Sequence, residues 1–245
     1  MNILTGKKMW LSQAAAIIPR NEPIVFWDTC ALLDVLRIPL LSRPQFTINT
    51  LQAYEQLEAW IQGNRITSVT SELVVREFSE NADHRIADLT NQEQKTKNEV
   101  KKQTQYMSDT LKAAMLSTRI DNLDIQRRVV KLVTKIWRKT KILKCENSFA
   151  FNADYRVRNY LRPSGGKESY KDCYLWISYI SLLNEVNPTE PAFFFTTNPA
   201  DFAENKGSVN LHPDLKAQLP LANAEAVMKM EILNGKLMRH FAAHP

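Results

Sequence analysis

The chain has 245 residues, of which 44% are hydrophobic and 24% charged, so its composition is that of a globular protein with a sizeable core. It contains no run of about 18 apolar residues that could span a membrane, and the broken apolar run at 14–18 is a poor secretory signal. We therefore expect a cytoplasmic protein. The three cysteines lie far apart without C-x-x-C spacing, which argues against a disulfide framework and against a zinc site.

The net charge of +6 is distributed unevenly along the chain. Residues 85–144 contain fifteen Lys or Arg against six Asp or Glu, a net charge of +9, so the rest of the chain sums to −3. A basic segment on a mildly acidic body indicates a polyanionic partner. Nucleic acid is the first candidate, and an anionic membrane surface is the weaker one.

The first third of the chain predicts alternating strands and helices. The apolar run 24–27 predicts a strand, which a short helix at 31–36 follows. Apolar residues at spacings of three and four predict a helix over about 49–62. A strand at 65–69 and a helix that begins near 70 complete a β-α-α-β-α order. This order is typical of an α/β protein with a parallel sheet and helices on its faces.

Residues 81–145 contain no proline or glycine and predict two long helices, at about 83–119 and 122–143. We interpret 83–145 as a basic helical hairpin inserted into a single domain that spans 1–245. The second helix is basic around most of its surface, which favours contact with nucleic acid, although a charged helix face is usually only solvated. Its candidate contact residues are Arg127, Arg128, Lys131, Lys135, Arg138 and Lys139.

The last third predicts two strongly apolar elements. Residues 167–184 predict a helix that is too hydrophobic to lie at the surface, and 192–196 predict a buried strand. An edge strand at 208–211 and a final helix at 223–240 complete the predicted elements.

Four acidic residues stand close to where these elements begin or end: Asp28, Glu77, Asp172 and Asp201. The carboxyl ends of parallel strands meet at one edge of a sheet, so these side chains are expected to converge there. Several carboxylates within a few Å repel one another unless a cation joins them, and ligation by oxygen alone suits Mg²⁺ or Mn²⁺. Such an ion activates water and neutralises charge on a phosphate, as phosphodiester cleavage requires. The competing interpretation of Asp28 and Thr29 is that they cap the following helix.

Four segments, in this order, resemble the motifs of the PIN-domain nucleases: Val25 to Thr29, Thr70 to Phe78, Lys171 to Trp176, and Phe195 to Phe202. The resemblance covers about 24–80 and 165–215. It implies a three-layer α/β/α fold with a central parallel sheet, and a Mg²⁺- or Mn²⁺-dependent endonuclease that prefers RNA to DNA, as in toxins of toxin–antitoxin pairs. The segment around Asp172 is also similar to a bacterial PIN-like subgroup sometimes associated with phage defence.

The resemblance also implies a set of site residues. Asp28, Glu77 and Asp172 are the first three metal ligands, and Asp201 or Asn198 is the fourth, since Asn198 stands where many members have Asp. Glu72 is the alternative at the second position, but it lies five residues from Glu77 and so points in another direction on a helix. Supporting roles are expected for Thr29, Thr196 and Glu168.

The expected partner is the RNA backbone, bound with salt-dependent affinity. Beside the basic helix, the candidate contacts near the site are Arg158, Arg162, Lys167 and Lys171. Two other functions stay open: a catalytically weak module that binds nucleic acid or protein, and a structure-specific DNA nuclease. An antitoxin or other regulatory protein and a second copy of the chain are further candidate partners.

Overall fold

A computed structural model describes residues 6–37, 44–108, 125–165, 169–205 and 208–244. Within these ranges the strands form one six-stranded sheet, in which every neighbouring pair is parallel. The strands are β1 (Lys8–Met9), β2 (Ile24–Trp27), β3 (Thr67–Ser71), β4 (Lys141–Leu143), β5 (Ala192–Phe195) and β6 (Ala224–Val227), in the spatial order β1-β4-β3-β2-β5-β6.

Helices connect the strands, because a parallel pair needs a crossover. They are α1 (Ala14–Ile17), α2 (Thr29–Arg37), α3 (Pro44–Gln62), α4 (Glu72–Ser108), α5 (Ile125–Lys139), α6 (Asn147–Arg158), α7 (Tyr170–Val186), α8 (Pro199–Phe202), α9 (Pro213–Lys216) and α10 (Met230–Ala243). Helix α2 packs against α4 and α5, and α3 packs against α5 and α10, so these helices form one group. Helices α1 and α6 pack against α7 and form a second group with it. The predicted α/β/α fold with a central parallel sheet is confirmed.

Strands β2 and β5 are buried on both faces, which explains their continuous apolar composition. Every residue of β2 has no exposed surface, and neither β2 nor β5 has a residue outside the core. Aromatic rings fill the space beside them: the Phe194 ring lies 5.6 Å from that of Trp176 and 5.1 Å from that of Phe202. The polar atom of Trp27 is also satisfied, since its indole N–H donates to Ser68 Oγ at 2.8 Å.

The predicted helix 122–143 is wrong at its C-terminal end. The helix ends at Lys139, and Lys141–Leu143 forms strand β4 between β1 and β3. Ile142 and Leu143 are buried there, and the Ile142 N–H donates to the Lys7 carbonyl at 2.9 Å. Pairing on both sides therefore outweighs the local helical pattern.

The predicted helix 223–240 is wrong at its start. Ala224–Val227 forms the edge strand β6 against β5, and the helix begins only at Met230. The prediction for 208–211 is also corrected, because this segment contributes one antiparallel bridge, between Ala203 and Leu211.

The first helix of the predicted hairpin starts earlier than expected. Helix α4 begins at Glu72, directly after β3, and continues without a break to Ser108. The predicted turn near 121–122 lies outside the described residues. Helix α6 falls in a segment for which the sequence predicted no element. Among the described helices, none has both the length and the apolar composition that crossing a membrane requires.

The Phe194→Ala substitution tests the packing of the central layer. It should lower the free energy of unfolding by about 3–5 kcal/mol, because it removes a fully buried ring from an aromatic cluster. The matched control is Phe151→Ala, which truncates a ring that is 73% exposed and should change stability by less than about 0.5 kcal/mol. Urea unfolding of both variants measures the difference, and equal losses would contradict this packing.

Candidate active site

Asp28 and Thr196 leave the sheet side by side. Trp27 and Phe195 are register partners in the parallel pair of β2 and β5, so the next residue of each strand lies at the carboxyl edge. The Thr196 hydroxyl donates to Asp28 Oδ2 at 2.6 Å, and the Asp28 N–H donates to the Phe195 carbonyl at 3.0 Å. Asp28 is only 3% exposed. Its carboxylate is therefore held in place by the neighbouring strand.

Asp28 also contacts the start of helix α2. The backbone N–H groups of Thr29 and Cys30 donate to its carboxylate, so the capping interpretation describes a real contact. It does not exclude a functional role, because the same carboxylate lies within electrostatic range of Glu77.

Glu77 joins three elements of the site. It lies on α4, and its Oε2 accepts a hydrogen bond of 2.6 Å from the Thr29 hydroxyl at the start of α2. Its Oε1 accepts one of 3.0 Å from Lys171 Nζ at the start of α7. The predicted supporting residue Thr29 therefore orients a carboxylate, as Thr196 does for Asp28.

Glu72 points elsewhere and has structural partners. It forms an ion pair with Lys8 of β1 and accepts a hydrogen bond of 3.3 Å from the Cys145 N–H, after β4. The hydrogen bond from Lys8 is the largest cause of a lowered pKa at Glu72. The geometry thus favours Glu77 over Glu72 as the second acid of the site.

Asp172 lies in the first turn of α7 and is partly buried. Burial raises its pKa to about 7, and the negative charges of Asp28, Asp201 and Glu77 add to this effect. Burial likewise raises the pKa of Asp28 to about 6, although the hydrogen bond from Thr196 opposes it and the charge of Glu77 reinforces it. The other three predicted acids are therefore close enough to influence the ionisation of Asp172.

At the fourth position, the two candidate ligands contact each other. Asn198 Nδ2 donates to Asp201 Oδ2 at 2.8 Å, and the Asn198 N–H donates to the Thr196 hydroxyl at 3.1 Å. Asp201 lies in the short helix α8, which the buried Phe202 anchors to the core. Since Asn198 positions Asp201, both alternatives stay open. Beside them, the Thr197 hydroxyl is buried with no hydrogen-bond partner in the described structure.

The chemistry of these side chains fits a hard divalent cation. The donors are oxygen atoms, and the carboxylates raise one another's cost of ionisation, which a shared cation would relieve. Their positions do not yet form a complete cage: within the described ranges, no three His, Cys, Asp or Glu side chains are grouped closely enough to hold a metal ion.

Three of the four basic residues predicted near the acids lie within the described ranges. Lys171 is bound to Glu77, and Arg158 pairs with Asp154 at 2.8 Å on an exposed surface of α6. Arg162 lies over Gly165, where a Cβ atom would come within 3.0 Å of the guanidinium; the φ of +53° at Gly165 also favours glycine. Lys167 and Glu168 lie outside the described residues.

Some of the basic residues of helix α5 pair with acidic side chains. Arg128 donates to both carboxylate oxygens of Glu55, at 2.7 and 2.9 Å, and Lys135 pairs with Glu58 at 3.2 Å, both on α3. The C-terminal end of α5 immediately precedes β4, so it lies at the amino edge of the sheet, opposite the acids. Arg138 and Lys139 belong to that end, whereas Arg127 and Lys131 are exposed nearer its start. Contact of this helix with nucleic acid stays a prediction.

Two residues of the site were not identified from the sequence. The Ser169 side chain forms a hydrogen bond that lowers the pKa of Asp172; its signal is the Ser-x-x-Asp spacing at the start of a helix. The second is Cys30, two residues after Asp28. Burial raises its pKa, as do the charges of Asp28, Asp34, Asp172 and Glu77 in that neighbourhood.

A family model described as a PIN domain matches residues 25–202, more than two thirds of the chain. The matched range begins in β2 and ends in α8, so it contains all four candidate acids and helix α5. No curated protein and no solved structure matches the chain significantly.

Because the pKa of Asp172 is raised, removal of its charge should increase the stability of the fold by an amount that depends on pH. The ordinary value is 3.8 and the folded value about 7, so the folded state holds the proton more tightly and loses stability as the pH rises from about 4 to 8. In EDTA, Asp172→Asn should therefore stabilise the protein by roughly 2–4 kcal/mol at pH 8 and by less than about 1 kcal/mol at pH 4.

Urea unfolding at the two pH values measures this gain. Asp214→Asn, at a side chain that is 69% exposed, is the control and should show no such difference. A gain of equal size at both pH values would contradict the electrostatic description of the site.

Proposed function

Since the chain belongs to the PIN-domain family, whose members are generally nucleases, we propose that it is a Mg²⁺- or Mn²⁺-dependent endoribonuclease. The observation that carries the proposal is the mutual influence of Asp28, Glu77, Asp172 and Asp201. These residues come from four elements and share the carboxyl edge of one sheet, where α/β proteins place their ligands.

The chain's own residues have distinct parts in this mechanism. Asp28, Glu77 and Asp172, with Asp201 or Asn198, would hold the cation. Thr196 fixes the orientation of Asp28, and Thr29 fixes that of Glu77. When bound, the divalent ion lowers the pKa of a water and neutralises charge on the scissile phosphate.

Lys171 is positioned to respond to the substrate. Its ammonium group is bound to Glu77 and its side chain is 55% exposed. An exposed ion pair of this kind is weak, so the Lys171 ammonium group would be available to contact a phosphate oxygen of the RNA. Arg158 and Arg162, on and after α6, would extend this contact along the backbone and give salt-dependent affinity.

A module that binds nucleic acid or protein without cleavage is the second candidate. It is favoured by the spacing of the acids, since the described part of the chain contains no preformed group of three metal-binding side chains.

The family resemblance supports a further proposal, that the protein is a toxin or phage-defence effector with a regulatory partner. The composition supports a location in the cytoplasm.

Substitution of Asp28 and of Asp172 tests whether the protein is an enzyme or a binding module. In Mg²⁺ or Mn²⁺, Asp28→Asn and Asp172→Asn should each reduce cleavage of labelled RNA by about 100-fold or more, because each removes a charged oxygen donor. Glu72→Gln, on the same helix as Glu77, should retain cleavage within about threefold, since Glu72 contacts Lys8 of β1 and the Cys145 N–H after β4. EDTA should abolish the activity of the wild type.

Single-stranded and branched DNA of the same length, assayed in parallel, separate a ribonuclease from a DNA nuclease. Metal-dependent cleavage by both Asn variants at the wild-type rate would refute the assignment of the acids. Absence of cleavage of every substrate by the wild type would favour the binding module.

A further inference from the structure

Helix α6 carries large aromatic side chains on its exposed face. Phe151 is 73% exposed and Tyr155 is 53% exposed. They are four residues apart and so are neighbours on one side of the helix. Most large aromatic side chains of the described residues are buried, as Trp27, Trp137 and Trp176 show, so two exposed rings on one helix face are unusual.

This face is connected to the candidate active site. Helix α6 packs along α7, whose first turn carries Asp172. Asp154 of α6 lies within electrostatic range of Tyr170 on α7, and Asp154 also pairs with Arg158 on the exposed side of α6. Tyr170 is 39% exposed and precedes Asp172 by two residues. We call Phe151, Tyr155 and Tyr170 the aromatic surface.

Positive charge accompanies the rings. Arg158 follows Tyr155 by three residues and lies on the same side of α6, with 76% of its side chain exposed. Its ion pair with Asp154 is exposed and therefore weak. Lys171 follows Tyr170 directly and is also exposed. The surface thus combines exposed rings with cations that can follow a phosphate backbone.

We propose that the aromatic surface of α6 and α7 stacks unpaired bases and leads a single-stranded nucleic acid to the carboxylates at the sheet edge. This inference rests on the proposed function. Rings that alternate with cations are the chemistry by which proteins hold single strands without reading their sequence. A duplex cannot use the surface, because its bases are stacked on one another.

Binding of a short labelled RNA in EDTA tests the proposal without cleavage, with fluorescence anisotropy as the measurement. Phe151→Ala and Tyr155→Ala should each weaken binding of the single strand by about 5- to 100-fold. Phe151→Tyr and Tyr155→Phe keep a ring and should retain wild-type affinity. Both positions are exposed, and equal urea midpoints for all the variants exclude a loss of folding.

An abasic strand of the same length provides the matched ligand control, since it keeps the phosphates and lacks the bases. The wild type should bind it about as weakly as the Ala variants bind the normal strand, and the Ala substitutions should have no further effect on it. Blunt duplex RNA should likewise be insensitive to them. Equal binding of the single strand by the wild type and both Ala variants would overturn the proposal.

The outcomes separate this inference from the proposed function. Base-dependent binding without any cleavage would support the aromatic surface and refute the nuclease. If the wild type and the Ala variants cleave single strands at the same rate, the result would support the proposed nuclease activity and refute the proposed role of the aromatic surface. Self-association lost in Phe151→Ala, with unchanged RNA binding, would assign the surface to a second copy of the chain instead.

Discussion

Parallel pairing of β2 with both β3 and β5 is the constraint on which the candidate site depends. Because the three strands run in the same direction in register, the residues that follow them emerge at one edge. Asp28 follows β2, and Thr196 follows β5 and donates to it. The burial of β2 and β5 on both faces fixes this edge, since a shift of register would move large aromatic side chains out of the core.

The same constraint creates an electrostatic cost. Folding brings Asp28 out of water and places Asp172 near three other acids, and both pKa values rise into the range of about 6 to 7. The described contacts relieve part of this cost through the Thr196 hydroxyl and the Ser169 side chain. Charge repulsion that the fold does not neutralise by itself is typical of functional sites, and a divalent cation would remove it.

Much of this arrangement could be predicted from the sequence. Strand β2 was identifiable because an apolar run that ends in Asp is rare inside a protein. The site acids were identifiable because they lie close to strand ends or helix starts. Strand β4 could not be distinguished from the end of a helix, because three residues carry too little periodicity. The alanine-rich β6 favours a helix locally, and only pairing with β5 makes it a strand.

The side-chain contacts of the site were less predictable. Lys171 was expected to contact the RNA backbone, and in the structure it reaches Glu77 across 94 positions of the chain. Arg128 and Lys135 were interpreted as contacts for nucleic acid, yet they also pair with acids on α3, which no local pattern indicates. Such pairs depend on how helices pack, and packing is decided by the whole fold.

The most direct test of the shared-cation account is calorimetric titration of the protein with Mn²⁺ at pH 6.5, in two buffers that differ in ionisation enthalpy. At this pH a fraction of Asp28 and Asp172 holds a proton, so binding should release on the order of one proton and give a buffer-dependent enthalpy. The double variant Asp28→Asn/Asp172→Asn should not bind. Binding by that variant equal to the wild type, or no binding by the wild type, would contradict the account.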